Sequence, residues 1–158
     1  MGREIRRVAA NWQHPKNKQG NYIPLFENFK KRLTEWDEAN EQWNKGFKES
    51  WNEGEKWIPK EGDDMNFTYE SWNGERPVEE EYMPEWSEEE KTHIQLYETT
   101  SEGTPTTPVF KADEFEQLCK YAAKKCFTFA DCEATKEEWM EMLSDGLVYT
   151  TRGNITFI

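Results

Sequence analysis

Residues 93–110 read HIQLYETTSEGTPTTPVF. Apolar and polar residues alternate from His93 to Thr99, the pattern of a half-buried strand. SEGTPTTP, residues 101–108, concentrates turn formers, and Val109-Phe110 closes a second strand. At the other end of the chain, residues 3–9 (REIRRVA) set Ile5 and Val8 around arginines. That spacing predicts a short strand with its polar face turned outward. Two strands so far apart in sequence require helices to cover them.

The candidates for those helices are visible in the spacing of apolar residues. Phe26, Phe29, Leu33, Trp36, Trp43, Phe47 and Trp51 recur at intervals of 3, 4, 3, 7, 4 and 4, one face of a long helix weakened near Gly46. From Asp113, the positions Phe115, Leu118, Cys119, Ala122, Ala123 and Cys126 form a second stripe. Thr135 with Glu138 makes a capping box opening a helix through Leu143 that ends near Gly146, and Ser87 with Glu90 makes another. NWQHPKNKQGNYIP reads as an ordered loop, and residues 54–84 as an irregular crossing with at most a short strand at 67–71. LVYTT and NITFI flank Arg152-Gly153 as a terminal hairpin. The expected fold is α+β: a small antiparallel sheet with packed helices, one long aromatic-rich helix near residues 26–53 and a C-terminal hairpin. Residues 1–158 form a single domain in this reading, with 26–60 a protruding helical segment.

Composition narrows the function. The 158 residues hold 32 Asp and Glu against 20 Lys and Arg, a net charge of −12. Such a surface is unsuited to coating nucleic acid or an anionic membrane, since phosphate binding relies on surplus cations. A mean hydropathy of −1.09 suggests disorder, but 8 Trp, 9 Phe and 6 Tyr oppose it. The charge is uneven: residues 1–24 carry +4, 25–60 carry −1, 61–104 carry −12 and 105–158 carry −3. No stretch approaches a membrane span or a secretory signal, and Cys119, Cys126 and Cys132 read as reduced thiols, so the expected compartment is the cytoplasm. No close ligand pair frames a zinc site, and no cofactor is expected.

Three constellations carry chemistry. Tyr97-Glu98-Thr99-Thr100-Ser101-Glu102-Gly103-Thr104 gathers hydroxyls and two carboxylates suited to ribose and phosphate oxygens; its plain alternative is a polar turn bonding its own backbone. Arg6 and Arg7 with Trp12 and His14 offer donor forks and a stacking face; alternatively they neutralise the acidic segment. Trp72 through Trp86, with Glu79, Glu80, Glu81 and Glu85, sets carboxylates along a surface in the manner of DNA phosphates; alternatively it is a soluble loop anchored by rings. Tyr82 and Trp86 from this segment join the ligand-binding candidates. No GxSxG, P-loop, HExxH or GxGxxG occurs, so an enzyme is not expected.

REIRRV followed by Trp12-Gln13-His14-Pro15, then Trp72-Asn73-Gly74, Arg76-Pro77, Tyr82-Met83-Pro84-Glu85-Trp86 and Thr92-His93, resembles a family of small uncharacterised tailed-bacteriophage proteins. The resemblance is strongest through Tyr97–Pro105 and Pro108-Val109-Phe110 and spans about two thirds of the chain. Ile94, Ser87 and the closing VYTTRGNITFI depart from it: the family tends to carry an aromatic, a proline and a Gly-rich tail there. The resemblance implies an accessory factor acting in an infected bacterial host and supplies no chemistry.

The favoured expectation is an anti-defence protein that sequesters a nucleotide-derived immune signal without cleaving it. Its ligand site would draw on Arg6, Arg7, Trp12, His14, Tyr82, Trp86, Tyr97, Glu98, Thr99, Ser101, Glu102 and Thr104. The alternative is an acidic inhibitor of a host defence complex, binding protein through Glu79, Glu80, Glu81 and Glu85 as a DNA mimic or blocker. A nucleotide or glycan hydrolase using paired carboxylates such as Glu98 and Glu102 stands behind both. Neither direct nucleic-acid nor membrane binding is expected. The ring stripe at 26–53 leaves a homodimer open.

Overall fold

The computed structural model describes residues 2–52, 54–126, 133–148 and 155–156. The chain divides into two compact units, Met1–Leu25 with Pro84–Ile158, and Phe26–Met83. The segment that the sequence sets apart, 26–60, belongs to the second unit, which runs on to Met83.

In chain order the elements are β1 (Arg3–Val8), α1 (Phe29–Asn44), β2 (Phe47–Glu49), β3 (Trp57–Pro59), α2 (Tyr69–Asn73), β4 (His93–Glu98), β5 (Thr104–Pro105), β6 (Phe110–Lys111), α3 (Phe115–Lys125), α4 (Lys136–Val148) and β7 (Ile155–Thr156). The mixed α/β fold, its small antiparallel sheet and its packed helices follow the sequence reading. In the first unit the order is β5-β4-β1-β7, with β6 also on β4, and every pairing is antiparallel. Ile5 lies opposite Leu96, Arg3 opposite Glu98 and Val8 opposite His93.

That register fixes what each face carries. Ile5, Ile94 and Leu96 share one face and meet Leu118, Cys119 and Ala122 of α3 and Trp139 and Leu143 of α4. Each fully buried Leu there contributes about 1.5–3 kcal/mol relative to exposure. The other face carries Glu4, Arg6, Val8, Gln95 and Tyr97, all buried. The expected outward polar face of β1 is therefore corrected. Arg6 is only 4% exposed because the 9–25 segment, through Leu25 and His14, lies over it. The Thr135–Glu138 box forms as read: Thr135 N–H donates to Glu138 Oε2 at 2.8 Å, and Glu138 N–H donates to Thr135 Oγ1 at 3.2 Å. At Ser87 only half of the expected box forms: Glu90 N–H donates to Ser87 Oγ, whose hydroxyl donates to the Glu90 carboxylate, and the segment closes a single turn, not a helix.

The second unit departs further from expectation. Asn28 sits in the left-handed region, φ 64°, which an Asn tolerates and a helix does not continue through. Phe26 is consequently outside α1 and bridges in parallel to Tyr82. At the other end Gly46, φ 97°, follows the last turn and stops it, so Phe47 lies in a strand and Trp51 in the β2–β3 turn. The strand expected at 67–71 is also corrected. Thr68 Oγ1 accepts from Ser71 N–H and caps α2, which is helical. α1 and α2 meet through rings: Trp43 lies 4.8 Å from Trp72, and Trp36 5.2 Å from Tyr69. Trp43 Nε1 donates to the Phe67 carbonyl at 2.8 Å. The aromatic stripe of α1 thus finds cover within its own unit.

The terminal hairpin falls largely outside the described residues. Leu147 and Val148 end α4, and Ile155–Thr156 pairs with β1, Ile5 opposite Ile155, rather than with an LVYTT strand. Among the described residues no helix is long and apolar enough to cross a membrane.

Leu118 tests the helix-covered face. Leu118→Ala should lower unfolding free energy by about 2–5 kcal/mol in urea titrations followed by tryptophan fluorescence, through lost transfer energy and a residual cavity. A loss well under 1 kcal/mol would contradict this account of the core.

Candidate functional site

β1 and β4 pair side by side, so the basic strand and the start of the 97–104 loop meet within the first unit. What they form is a buried polar network. Arg6 Nε lies 2.5 Å from Glu4 Oε1, its Nη1 donates to the Leu25 carbonyl at 2.7 Å, and its guanidinium stands 4.4 Å from the Tyr97 ring centre. The Tyr97 hydroxyl accepts from Trp12 Nε1 at 3.0 Å and lies 3.0 Å from His14 Nδ1 and 3.1 Å from Gln95 Oε1. His14 Nε2 faces the Ile23 carbonyl at 2.5 Å. A carbonyl only accepts, so the proton of the neutral imidazole sits on Nε2, and the Tyr97 hydroxyl donates its one proton to Gln95 Oε1. Trp86 meets Trp12 edge-on at 5.1 Å. Burial lowers the His14 pKa, the Arg6 charge adds to that, and the Ile23 bond opposes it.

The remaining candidates of this unit also have internal partners. Arg3 pairs with Glu98 at 2.9 Å, and Thr100 Oγ1 donates to the same carboxylate. Arg7 pairs with the exposed Glu88 at 2.6 Å and donates to the Lys91 carbonyl at 3.1 Å. Lys91 first and Arg7 second hold Glu88 below the usual carboxylate range. Ser101 Oγ donates to the Glu98 carbonyl and lies 2.5 Å from Thr104 Oγ1, while Thr99 N–H donates to Gly2 O. Glu102 takes φ 68° and Gly103 φ 106°, turning the loop tightly enough for Gly103 O to accept from Leu25 N–H. A Cβ on Gly103 would stand 2.0 Å from the Leu25 carbonyl and 2.7 Å from Arg6 Nη2. The loop hydroxyls bond their own loop, and the glycine is the position that lets it approach Arg6.

The acidic candidates lie elsewhere. Glu79, Glu80 and Glu81 form an exposed 3₁₀ turn in the second unit, with no ion pair among the described residues. Tyr82 follows them and rests on Phe26 and Phe29 at 5.6 and 5.2 Å. Glu85 is exposed in the first unit.

The sequence did not single out a cleft of about 510 Å³ in the second unit. Trp36 and Tyr82 provide ring walls, Glu35, Glu49 and Glu75 carboxylates, and Tyr69 a hydroxyl. Trp36 Nε1 donates to the Gly74 carbonyl, and Arg76 grips Asp37 with two bonds at 2.8 and 2.9 Å, which fasten residues 74–76 to α1. The Arg76 bond holds the Asp37 carboxyl below its ordinary range. The cleft escaped a sequence reading because its walls come from α1, the β2–β3 hairpin, α2 and the 75–82 segment. The helical cap Thr68-Tyr69-Glu70-Ser71 is the signal that places Tyr69. Among the described residues, no three His, Cys, Asp or Glu side chains converge as metal ligands would. The chain matches no family model, no curated protein and no solved structure.

Two outcomes follow from the network. Gly103→Ala should destabilise the fold by about 2–4 kcal/mol, since both the backbone angle and the Leu25 contact forbid the methyl; chemical denaturation reads this, and a neutral result would overturn the packing. The neutral His14 makes stability pH-dependent. The unfolded imidazole takes a proton near 6.5 and the folded one only at lower pH, so stability is full above 6.5 and falls as pH drops through it. Urea unfolding between about pH 7.5 and 5.5 should show a decline, bounded at about 1.4 kcal/mol per pH unit for one site, that His14→Gln removes. Equal slopes in both proteins would refute the assignment.

Proposed function

We propose that this protein acts by binding, not catalysis, and that residues 26–83 engage a basic surface of a partner protein. One observation carries the reading: exposed rings and surplus acid coincide in this unit. Its 58 residues hold sixteen acids and eight bases, a net charge of −8. Phe26, Phe47, Trp51, Met65, Phe67, Trp72 and Val78 are exposed there, Trp51 by 94% at the β2–β3 turn. Aromatic anchors among like charges suit association with an oppositely charged partner: rings supply affinity, and charge supplies encounter rate and selectivity. The unpaired carboxylates of Glu79, Glu80 and Glu81 extend the same character.

Sequestration of a nucleotide signal has less support. It asks Arg6 and Arg7 to meet phosphate, whereas Arg6 is buried against Glu4 and Leu25 and Arg7 is engaged by Glu88. Releasing the first would leave a buried carboxylate unpaired, which is costly. The resemblance to small phage proteins supplies the setting: an infected bacterial cytoplasm, and a host defence protein whose basic surface ordinarily holds nucleic acid.

The test uses the full chain as bait in a bacterial extract, followed by titration of the captured protein. Duplex DNA should compete for it, and the Glu79→Gln, Glu80→Gln, Glu81→Gln triple variant should bind about five- to thirtyfold more weakly with a flatter salt dependence. A partner held equally by both proteins, and not displaced by DNA, would remove the reading.

A further inference from the structure

We infer that the cleft of residues 26–83 is a site for an organic cation, an alkylammonium or guanidinium group whose stem lies along Trp36 and Tyr82. The inference deepens the proposed function and rests on its premise that the partner is basic.

Charge sets the sign of the ligand. Four glutamates and two cations line the cleft. Glu38 is tied to Lys56 at 3.1 Å. Glu35, Glu49 and Glu75 have no ion pair among the described residues, and Arg32 is the one lining cation in the same condition. Carboxylates therefore outnumber the charge available to balance them, and an entering anion would be repelled.

A second, independent feature points to an occupant. Tyr69 is 6% exposed, its ring enclosed by Trp36, Trp43 and Trp72; it lines the cleft beside Glu49, and its hydroxyl has no hydrogen bond to any described residue. The ring is packed away while the hydroxyl stays accessible, so a donor that enters the cleft meets an acceptor no side chain occupies. Burial first and Glu49 second push the phenol pKa upward, so the group is neutral and presents lone pairs to a donor. A cationic N–H satisfies it while its charge meets Glu49. Trp36, pinned by its bond to Gly74, and Tyr82, seated on Phe26 and Phe29, offer held faces for the stem and for cation–π contact. The volume suits a side-chain-sized group.

The same chemistry is found on a lysine or arginine of a partner and on a free polyamine, and calorimetry on the full chain separates them. The probes are tetra-arginine amide, tetra-lysine amide and spermidine. At least one should bind saturably, and Tyr69→Phe and Glu49→Gln, checked for unchanged thermal midpoint, should each weaken it about five- to tenfold. Binding of the peptides alone assigns the group to a protein; equal binding of spermidine assigns a free polyamine. No saturable binding by any probe, or equal affinity in wild type and both variants, would overturn the site. So would residue-dependent binding of a neutral oligosaccharide in place of the cations. The Glu79–Glu81 triple variant separates the two proposals. If it loses the partner while cleft variants keep the peptides, the cleft fails alone; if cleft variants lose the peptides while it keeps the partner, the acidic turn fails alone.

Discussion

The first unit depends on one buried guanidinium. Arg6 sits inside the sheet's second face, bonded to Glu4 and the Leu25 carbonyl, with the Tyr97 ring across it. An arginine so placed must be compensated on every side, because an unmatched buried charge costs several kcal/mol. That requirement recruits the surroundings. Glu4 is its neighbour two residues away on the same strand face, Leu25 closes the 9–25 segment over it, and Tyr97 is fixed in turn by Trp12, His14 and Gln95. The absence of a side chain at Gly103 completes the fit. A sheet with one apolar and one polar interior face results, which explains how a chain of such low mean hydropathy keeps both faces of its central strands out of water.

Much of the fold was legible where periodicity was local. β1, β4, α3 and the Thr135 cap followed from alternation, stripe and box, because each is determined by residues within one or two turns of one another. The errors arose where a single backbone angle overrode the pattern. The stripe from Phe26 to Trp51 has helical spacing throughout, yet Asn28 and Gly46 cut it to Phe29–Asn44. Arg6 looked solvent-facing because nothing in REIRRV reports that residues 9–25 will cover it. The 97–104 hydroxyls stood out as chemistry, and the structure uses them as loop bonds. The Tyr69 cleft was illegible because four separated segments build it, and no local pattern encodes their convergence.

The distribution of charge follows the same division. The first unit's arginines 3, 6 and 7 all meet carboxylates of their own unit, and Glu98 and Glu88 thereby balance half of the +4 of residues 1–24. In the second unit the acids exceed what its lysines and arginines can pair. The net −12 of the chain is thus felt by the surroundings chiefly where rings are also exposed. A uniformly acidic surface would favour solubility alone; acid beside exposed aromatics favours selective association.

The bridge between Phe26 and Tyr82 has a consequence for how the chain finds its fold. Phe26 N–H donates to Glu81 O at 2.9 Å, and Met83 N–H donates to Phe26 O at 2.7 Å, so the second unit's own ends are stitched together. β1 and β4 are separated by the whole of that unit, yet once the stitch forms, the polymer between them is effectively the 9–25 segment and residues 84–92. Shortening the closed loop about threefold lowers its entropic cost by about 1 kcal/mol. Folding of the second unit therefore acts as a topological shortcut, converting the most distant pairing in the chain into one of moderate range.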